Sequence, residues 1–164
     1  MTGVQTCALP IYSSQISRSR AEAQAVNFLL DTNVVSEWVK PRPNPGVVLW
    51  LSNVDEDRVF LSVITLVELR YGIERMSSGE RRRRLTGWLE EELPLRFEKR
   101  VLNVDPTVAD TCGKLAAVAE THGRRMEAMD ALIAATAVTH GLSLVTRDSS
   151  HFQLAVKTIV NPWN

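Results

Sequence analysis

The chain has 164 residues, of which 45% are hydrophobic, and this is the size and composition of one domain that can bury a core without disulfides or structural metals. Nineteen Lys and Arg residues balance nineteen Asp and Glu residues, so a strongly basic nucleic-acid-binding field over the whole molecule is excluded. The two cysteines, Cys7 and Cys112, lie far apart without metal-ligand spacing, and no apolar run is long enough to cross a bilayer. We therefore expect a soluble protein of the reducing cytoplasm.

The first residues differ in character from the rest of the chain. Residues 1–11 have neither helical nor strand periodicity, lack the features of a signal peptide, and resemble the translation of a sequencing-library adapter. Residues 12–25 are rich in Ser, Arg, Gln and Ala. We expect residues 1–26 to be an artefactual or disordered extension and residues 27–164 to form the domain.

The first half of the remaining sequence alternates two kinds of segment. Short apolar runs are typical of buried strands, and apolar residues that recur every three or four positions are typical of helices. Clusters of proline and glycine mark the breaks between them. In chain order these patterns predict a strand at 26–30, helices from Val34 and over 47–54, a strand at 58–61, a helix capped by Ser62 and continuing to Met76, and a helix over 80–97 that Pro94 breaks.

The second half repeats the alternation of strands and helices. In chain order we predict a strand at 101–104, a helix that starts at Asp105 and ends near His122, a helix from Met126 to His140, and strands at 142–145 and 156–160. This alternation predicts a three-layer α/β/α domain, in which helices flank a central and mainly parallel sheet. Ligands are expected at the carboxyl ends of the strands.

Four acidic residues stand where such a fold would place a ligand. Asp31 and Asp148 follow predicted strands, and each could instead serve only as a helix cap or turn residue. Glu68 and Asp130 lie on predicted helices without a Lys or Arg three or four residues away. The alternative for Glu68 is a carboxylate at the helix edge that reaches solvent. The alternative for Asp130 is an acid in the first turn that interacts favourably with the helix dipole.

Taken together, the four acids predict a metal site. Four carboxylates in one cleft would repel one another, and one or two Mg²⁺ or Mn²⁺ ions, which prefer oxygen ligands, would offset that repulsion. Such ions can lower the pKa of a bound water and stabilise the leaving oxygen in phosphodiester hydrolysis. The pattern therefore favours a phosphodiesterase.

Several segments support a more specific interpretation because of the order in which they occur. They are FLLDTNVVSE at 28–37, SVITLVELRYGI at 62–73, MDALIAATA at 129–137, LVTRD at 144–148 and VNPW at 160–163. In this order they resemble the PIN-domain endoribonucleases and, among these, the VapC- and FitB-type toxins of bacterial toxin–antitoxin pairs. The last two segments are similar to the FitB branch specifically.

This resemblance implies roles for individual residues. All four acids would be catalytic, with Asp31 and Asp130 as direct metal ligands and with Glu68 and Asp148 completing the acidic, metal-binding pocket. The residues implied to hydrogen-bond around these acids are Thr32, Asn33 and Thr146. The family further implies Mg²⁺ or Mn²⁺ as cofactor, RNA as substrate, a cognate antitoxin protein as partner, and a homodimer.

The basic residues near the acidic motifs are candidates for substrate binding. Arg124, Arg125 and Arg147 stand just before or within those motifs, and we expect them to bind the phosphate backbone of RNA. The arginine run at 81–84 is interpreted as a solvent-exposed helix face, with binding of RNA or of an acidic antitoxin segment as the alternative. The histidines share no ligand spacing and are interpreted as surface residues: His122, His140 and His151.

Three other classes of protein were weighed against this interpretation. A phosphotransferase with an aspartyl nucleophile usually has a second Asp two residues after the first, where this chain has Asn33. A phosphoacceptor receiver domain needs a Lys at a strand end, and none of the four lysines stands at one. A catalytically inactive PIN-like module that binds RNA or protein stays open as the alternative function.

Overall fold

A computed structural model describes residues 26–163 of the chain. Five strands form one sheet, in which every neighbouring pair is parallel and the order is β3-β2-β1-β4-β5. The strands are β1 (Phe28–Leu30), β2 (Val59–Ser62), β3 (Val101–Leu102), β4 (Ser143–Val145) and β5 (Ile159–Val160). The predicted parallel sheet is confirmed, with strands somewhat shorter than expected.

Helices connect the strands and cover the sheet. They are α1 (Thr32–Glu37), α2 (Pro45–Asn53), α3 (Val63–Glu74), α4 (Glu80–Gly87), α5 (Leu93–Phe97), α6 (Pro106–Thr121), α7 (Ala128–Thr139) and α8 (Ser149–Phe152). The sequence patterns predict all of them except the short α8 and a 3₁₀ turn at Glu56–Arg58. Among the residues that the structure describes, no helix is both long and apolar enough to span a bilayer.

The predicted extension falls almost wholly outside the described residues. Residues 1–25 lie outside them, and only Val26 is described. The carbonyl of Val26 accepts a hydrogen bond from the guanidinium of Arg58, which precedes β2. The boundary of the domain at residue 27 therefore stays a prediction.

Side chains that satisfy free backbone N–H groups fix where four of the helices begin. The Asp31 carboxylate accepts from the N–H of Thr32 at the start of α1. Three further residues do the same, namely Asn44 for α2, Ser62 for α3 and Asp105 for α6. Capping of this kind satisfies backbone donors that the helix itself cannot pair, so these polar residues determine the helix starts locally.

The predicted helix break at Pro94 was wrong. The backbone runs from α4 through a π-helical turn at Trp88–Glu92 into α5 without leaving helical geometry. Because the N–H of Leu93 donates to the carbonyl of Trp88, five residues earlier, the turn is widened just before the proline. Pro94 then lies in the first turn of α5, where a residue without an N–H is tolerated.

Hydrophobic clusters on both faces of the sheet give the molecule its three layers. Successive strand residues point to opposite faces. Leu30 packs in one cluster with Leu61, whereas Leu29 packs in the other with Leu144 and Ile133 of α7. The three-layer α/β/α architecture predicted from the sequence is therefore confirmed, and the carboxyl ends of β1 and β4 are left together at one edge of the sheet.

Candidate functional site

The candidate site begins where the two central strands end side by side. Leu30 is paired with Val145, so the residues that follow them, Asp31 and Thr146, emerge next to each other. The N–H of Asp31 donates to the carbonyl of Val145 at 3.0 Å, which continues the sheet by one more bond. The parallel pairing thus brings together residues that are more than a hundred positions apart in the sequence.

The Asp31 carboxylate is held by hydrogen bonds to both of its oxygens. Its side chain is almost fully buried, with the residue 7% exposed. Oδ1 accepts from the N–H of Thr32 at 2.7 Å. Oδ2 accepts from the Thr146 hydroxyl at 2.6 Å and from the Asn33 amide at 2.8 Å. Asp31 is therefore a helix cap and a fixed acidic group at once, and the two interpretations of the sequence do not exclude each other.

Asn33 connects Asp31 to the loop that carries Asp148. Its amide nitrogen lies 3.1 Å from the Thr146 hydroxyl and 3.3 Å from an Asp148 carboxylate oxygen. Its amide oxygen accepts from the N–H of Arg147 at 3.3 Å, and the N–H of Asp148 donates to the Thr146 hydroxyl at 3.0 Å. The loop after β4 is consequently fixed against the start of α1.

The two acids on helices approach the same place from the flanks. Glu68, half-buried on α3, accepts a hydrogen bond from the Thr32 hydroxyl. Asp130, half-buried in the first turn of α7, comes from the other face of the sheet. Neither carboxylate lies within 4 Å of a Lys, Arg or His nitrogen among residues 26–163. Their charges are therefore not neutralised by ion pairs within that part of the chain.

Two of the four acids, Asp31 and Asp130, have raised pKa values. Burial raises the pKa of Asp31 from 3.8 to about 6; the hydrogen bonds from Thr146 and Thr32 lower it, and the charges of Glu68 and Asp130 raise it further. Burial also raises the pKa of Asp130, to which Glu127 and Asp148 add, whereas His151 acts in the opposite direction. The structure thus brings all four predicted acids to one edge of the sheet, where their charges act on one another.

The acids fit a hard divalent cation by the chemistry of their donors. They offer only carboxylate oxygens, and burial with uncompensated negative charge is the condition that a cation relieves. Within residues 26–163, however, no three side chains of Asp, Glu, His or Cys converge closely enough to enclose one ion. This suits Mg²⁺, which usually takes one or two carboxylates and keeps several waters.

A cavity of about 720 Å³ opens beside Asp130. Its lining includes two of the three arginines that the sequence indicated, Arg124 and Arg125, together with His151 of α8. Arg147 is placed elsewhere: its Nε lies 3.8 Å from Asp148, and its guanidinium lies 6.0 Å from the centre of the Trp163 ring. The structure therefore separates the three arginines into two locations, one beside Asp130 and one beside Asp148.

His151 belongs to this cavity, although the sequence led us to interpret it as a surface residue without a role. It is exposed, as expected, but it lines the same cavity as Asp130 and acts on that carboxylate. One signal in the sequence could have identified it, because it stands three residues after Asp148. The other two histidines are exposed and stand at the C-caps of α6 and α7, namely His122 and His140.

A second, smaller groove lies on the Glu68 side of the acids. It has a volume of about 200 Å³, and Thr32, Lys40 and Arg81 line it together with apolar residues of α3 and α4. Arg82, by contrast, donates to Glu74 and to the carbonyl of Met76. The arginine run at 81–84 is thus divided between an ion pair within the fold and a groove beside the candidate site.

Comparison with known proteins identifies relatives over most of the chain. The family model of the PIN domain matches residues 28–157. The toxin FitB of Neisseria gonorrhoeae is 40% identical over 137 residues, which are 84% of this chain and 99% of FitB. The VapC ribonuclease Y4jK of Sinorhizobium fredii is 40% identical over 136 residues, which are 83% of this chain and 97% of that protein.

A solved structure agrees with the sequence comparisons. The crystal structure of FitAcB from Neisseria gonorrhoeae superposes with a TM-score of 0.79 at 40% identity, and covers 84% of this chain and 99% of that one. The family match spans the segments that carry the four acids. The chain therefore belongs to the PIN-domain family.

Proposed function

We propose that this protein is a metal-dependent endoribonuclease that hydrolyses RNA phosphodiester bonds, and that it acts as the toxin of a toxin–antitoxin pair. The observation that carries the proposal is the edge of the sheet at which Asp31, Glu68, Asp130 and Asp148 come together. The chain matches two relatives over almost their whole length, one named as a toxin and the other as a ribonuclease. These names support a ribonuclease toxin as the function of this chain. The inactive alternative is disfavoured because all four acids are present.

The acids would hold Mg²⁺ or Mn²⁺, with Asp31 and Asp130 as the direct ligands and with Glu68 and Asp148 completing the pocket. Such an ion would supply Lewis acidity, which makes a bound water more acidic and stabilises a leaving oxygen. Thr146, Asn33 and the N–H of Thr32 orient the Asp31 carboxylate. A carboxylate fixed in this way needs no reorganisation when it takes up its ligand.

The surrounding residues position the catalytic acids and the RNA. The Thr32 hydroxyl fixes Glu68, and Asn33 fixes the loop that carries Asp148. Arg124 and Arg125 beside Asp130 and Arg147 beside Asp148 would bind backbone phosphates and so hold the RNA near the acids.

We further propose that the protein binds a cognate antitoxin and forms a homodimer. A groove of about 290 Å³ lies between Trp38 and Trp88, and its charged lining residues are the basic Lys40 and Arg84 and the acidic Glu92. Aromatic and arginine side chains are the residue types that dominate protein–protein interfaces. An antitoxin segment with apolar and acidic residues would complement this groove.

The activity is tested by incubating RNA with the purified chain in Mg²⁺ or Mn²⁺ and with a chelator. We expect cleavage that the chelator abolishes. Asp31→Asn and Asp130→Asn should each lose more activity than the roughly 10–100-fold loss typical of residues that only support a metal ligand. Asp110→Asn, on the exposed side of α6, is the matched control and should cleave normally. Full activity of a folded Asp31→Asn variant would refute the proposal.

The partnership is tested in bacterial cells. Expression of the chain alone should arrest growth, and co-expression with the neighbouring gene should relieve the arrest. Asp31→Asn should not arrest growth but should still bind the antitoxin, because the groove that we assign to the antitoxin does not include Asp31. Normal growth of cells that contain the folded wild-type protein would favour the inactive alternative.

A further inference from the structure

The cavity beside Asp130 has the size and the position of a substrate subsite. Its volume of about 720 Å³ lies within the range of about 300–1,000 Å³ that small-molecule sites occupy, so it can take a group of the size of a nucleotide. One wall is the loop before α7, with Arg124 and Arg125, and the other is α8, with Ser150 and His151. Asp130, one of the two proposed metal ligands, lies between the walls.

The two arginines of this cavity are engaged differently. The guanidinium of Arg124 donates from Nη1 to the carbonyl of Ser150 at 3.3 Å, and so connects one wall to the other. Arg125 is exposed and lies within 4 Å of no carboxylate of residues 26–163. Arg124 therefore shapes the cavity, and Arg125 presents its charge to whatever enters it.

His151 provides a second possible donor in the cavity that Arg125 lines. Its ring is exposed and close enough to Asp130 to lower the pKa of that carboxylate. It stands on α8, which begins directly after Asp148. The imidazole therefore lines the same cavity as Arg125, next to Asp130, and the N–H of His151 donates to the carbonyl of Asp148 at 3.0 Å.

Resting on the proposed ribonuclease function, we propose that this cavity is the subsite for the unpaired nucleotide next to the scissile phosphate, and that Arg125 and His151 bind its backbone phosphate. Arg124, besides its proposed contact with backbone phosphate, positions the site because it connects the two walls. Glu127 and Asp130 also line the cavity, so the phosphate must lie on its basic side, away from the acids.

The lining favours contacts to the backbone over contacts to the bases. No Phe, Tyr or Trp is among the described residues that line the cavity, so it lacks the platforms on which bases usually stack. Arginine side chains at such sites most often bind phosphate oxygens, which carry no sequence information. A cavity of this size also admits a single strand more readily than a duplex, whose bases are paired inside a rigid helix.

The test is binding of a short single-stranded RNA of mixed sequence, measured in chelator so that the RNA stays intact. We expect Arg125→Ala and His151→Ala each to weaken binding by roughly tenfold, which is the usual size of one charge-assisted hydrogen bond. Arg125→Ala should also reduce the slope of log Kd against log salt concentration by about 0.7, the value for one phosphate contact on a single strand. The loss should be equal across RNA sequences.

Two matched variants control for nonspecific effects of charge and folding. His140→Ala changes a histidine at the opposite end of α7, about 15 Å from Asp130 at 1.5 Å per residue. Arg83→Ala changes an exposed arginine on α4, outside the lining of the cavity. Both controls should bind the single-stranded RNA with the same affinity as the wild type. When the same RNA is annealed to its complement, all four variants should bind the duplex about as tightly as the wild type binds it.

The outcomes separate this inference from the proposed function. If the wild type cleaves RNA but Arg125→Ala and His151→Ala bind and cleave as it does, the subsite is refuted and the ribonuclease activity stands. A loss confined to one base identity, or to duplex RNA, would equally refute a backbone subsite for an unpaired nucleotide. If the wild type neither binds nor cleaves RNA, the proposed function itself fails.

Discussion

Asp31 shows how one residue can satisfy a local and a global requirement that conflict. As the cap of α1 it accepts a backbone N–H, which favours the charged form and lowers the pKa of the carboxyl group. Burial and the charges of Glu68 and Asp130 act in the other direction and prevail, so the pKa is raised to about 6. The folded, metal-free protein therefore bears a free-energy cost for keeping this group charged.

That cost predicts a pH-dependent difference between the wild type and Asp31→Asn. Because the pKa of Asp31 is raised from 3.8 to about 6, its favourable contribution is complete below pH 3.8 and is lost as pH rises through about 6. Asn cannot titrate. In chelator, the free energy of unfolding of the variant relative to wild type should therefore increase by about 2 kcal/mol between pH 4 and pH 7, as measured by urea unfolding.

A control substitution tests whether this difference is specific to Asp31. Asp110→Asn removes an exposed carboxylate of α6 that pairs with Lys114, four residues further along the same helix. Its stability relative to wild type should change by less than about 1 kcal/mol over the same pH range. If the difference between Asp31→Asn and wild type is the same at pH 4 and pH 7, the charge on Asp31 is not unfavourable in the folded state.

Glu37 is a buried acid that the sequence did not identify. It is 3% exposed and accepts from the Lys40 ammonium at 2.6 Å and from the N–H of Asn44 at 2.8 Å. Burial raises its pKa, but these bonds to Lys40 and Asn44 outweigh burial, so the pKa is lowered from 4.5. This carboxylate holds the proline-rich loop against α1 and is not part of the acidic site.

Glu37→Gln should therefore destabilise the protein by about 1–3 kcal/mol near neutral pH, since it replaces charge-assisted bonds by weaker ones. The pKa of Glu37 is lowered, so its contribution is present above pH 4.5 and is lost as pH falls through the lowered value. The destabilisation should accordingly shrink in acid, opposite to the trend for Asp31→Asn. Urea unfolding at pH 7 and pH 3 measures both values, and equal stability of variant and wild type at pH 7 would contradict the role.

At the scale of elements, the last residues of the described chain contact both helix α2 and the loop that carries Asp148. The Asn161 amide donates to the carbonyl of Arg147 at 3.2 Å, and its amide oxygen accepts from the N–H of Trp163 at 3.0 Å. The carbonyl of Pro162 lies against Gly46 at the start of α2. This segment thus packs between α2 and the loop that carries Asp148.

The contact at Gly46 predicts that even a methyl group will be harmful there. A Cβ at this position would lie 2.3 Å from the Pro162 carbonyl oxygen and 3.2 Å from the Asn44 side chain that caps α2. Backbone must move to relieve such a contact, so Gly46→Ala should lower the free energy of unfolding by about 1–3 kcal/mol in urea or thermal unfolding.

The matched control is Gly113→Ala in the interior of α6. A Cβ at Gly113 meets nothing within 4 Å, and alanine is the better helix former by roughly 0.5–1 kcal/mol. We therefore expect Gly113→Ala to stabilise the protein while Gly46→Ala destabilises it. Stabilisation by both would mean that the C-terminal segment does not pack against α2.

For the molecule as a whole, local patterns predict the elements better than their arrangement. Apolar runs and capping residues such as Ser62 and Asp105 predict most strands and helices, because these signals lie within a few residues of each other. The strand order has no such local signal, and neither does the burial of Glu37. The π turn before Pro94 was missed because the sequence indicates the proline but not the widened turn that accommodates it.

The candidate site was predictable to the extent that topology determines it. Asp31 and Asp148 follow strands, and parallel strands place their carboxyl ends at one edge, so their proximity follows from the predicted fold. His151 was not predictable in this way, because its neighbourhood is created by the packing of α8 against the loop before α7. Tertiary contacts between short irregular segments are what the sequence patterns do not contain.

The wide separation of the four acids in the sequence predicts that metal binding and folding are coupled. Only the folded chain brings them together, so an ion that binds them stabilises the native state and not the unfolded one. At a concentration 100 times the dissociation constant, Mn²⁺ should raise the free energy of unfolding by about 2.7 kcal/mol. Tm should rise by roughly 5–10 °C, as measured by calorimetry with and without chelator.

The order of stability of Asp31→Asn and the wild type should differ between the metal-free and the metal-loaded proteins. Without metal, the free energy of unfolding of the variant should rise relative to that of the wild type at neutral pH, because the variant lacks the unfavourable buried charge. With Mn²⁺ it should lose most of the rise in Tm, whereas Asp110→Asn should retain it. An equal rise in all three proteins would place the ion away from Asp31. If the variant is the more stable protein without metal and the wild type is the more stable one with Mn²⁺, the acids are retained at a cost to the metal-free fold, as is typical of groups selected for function.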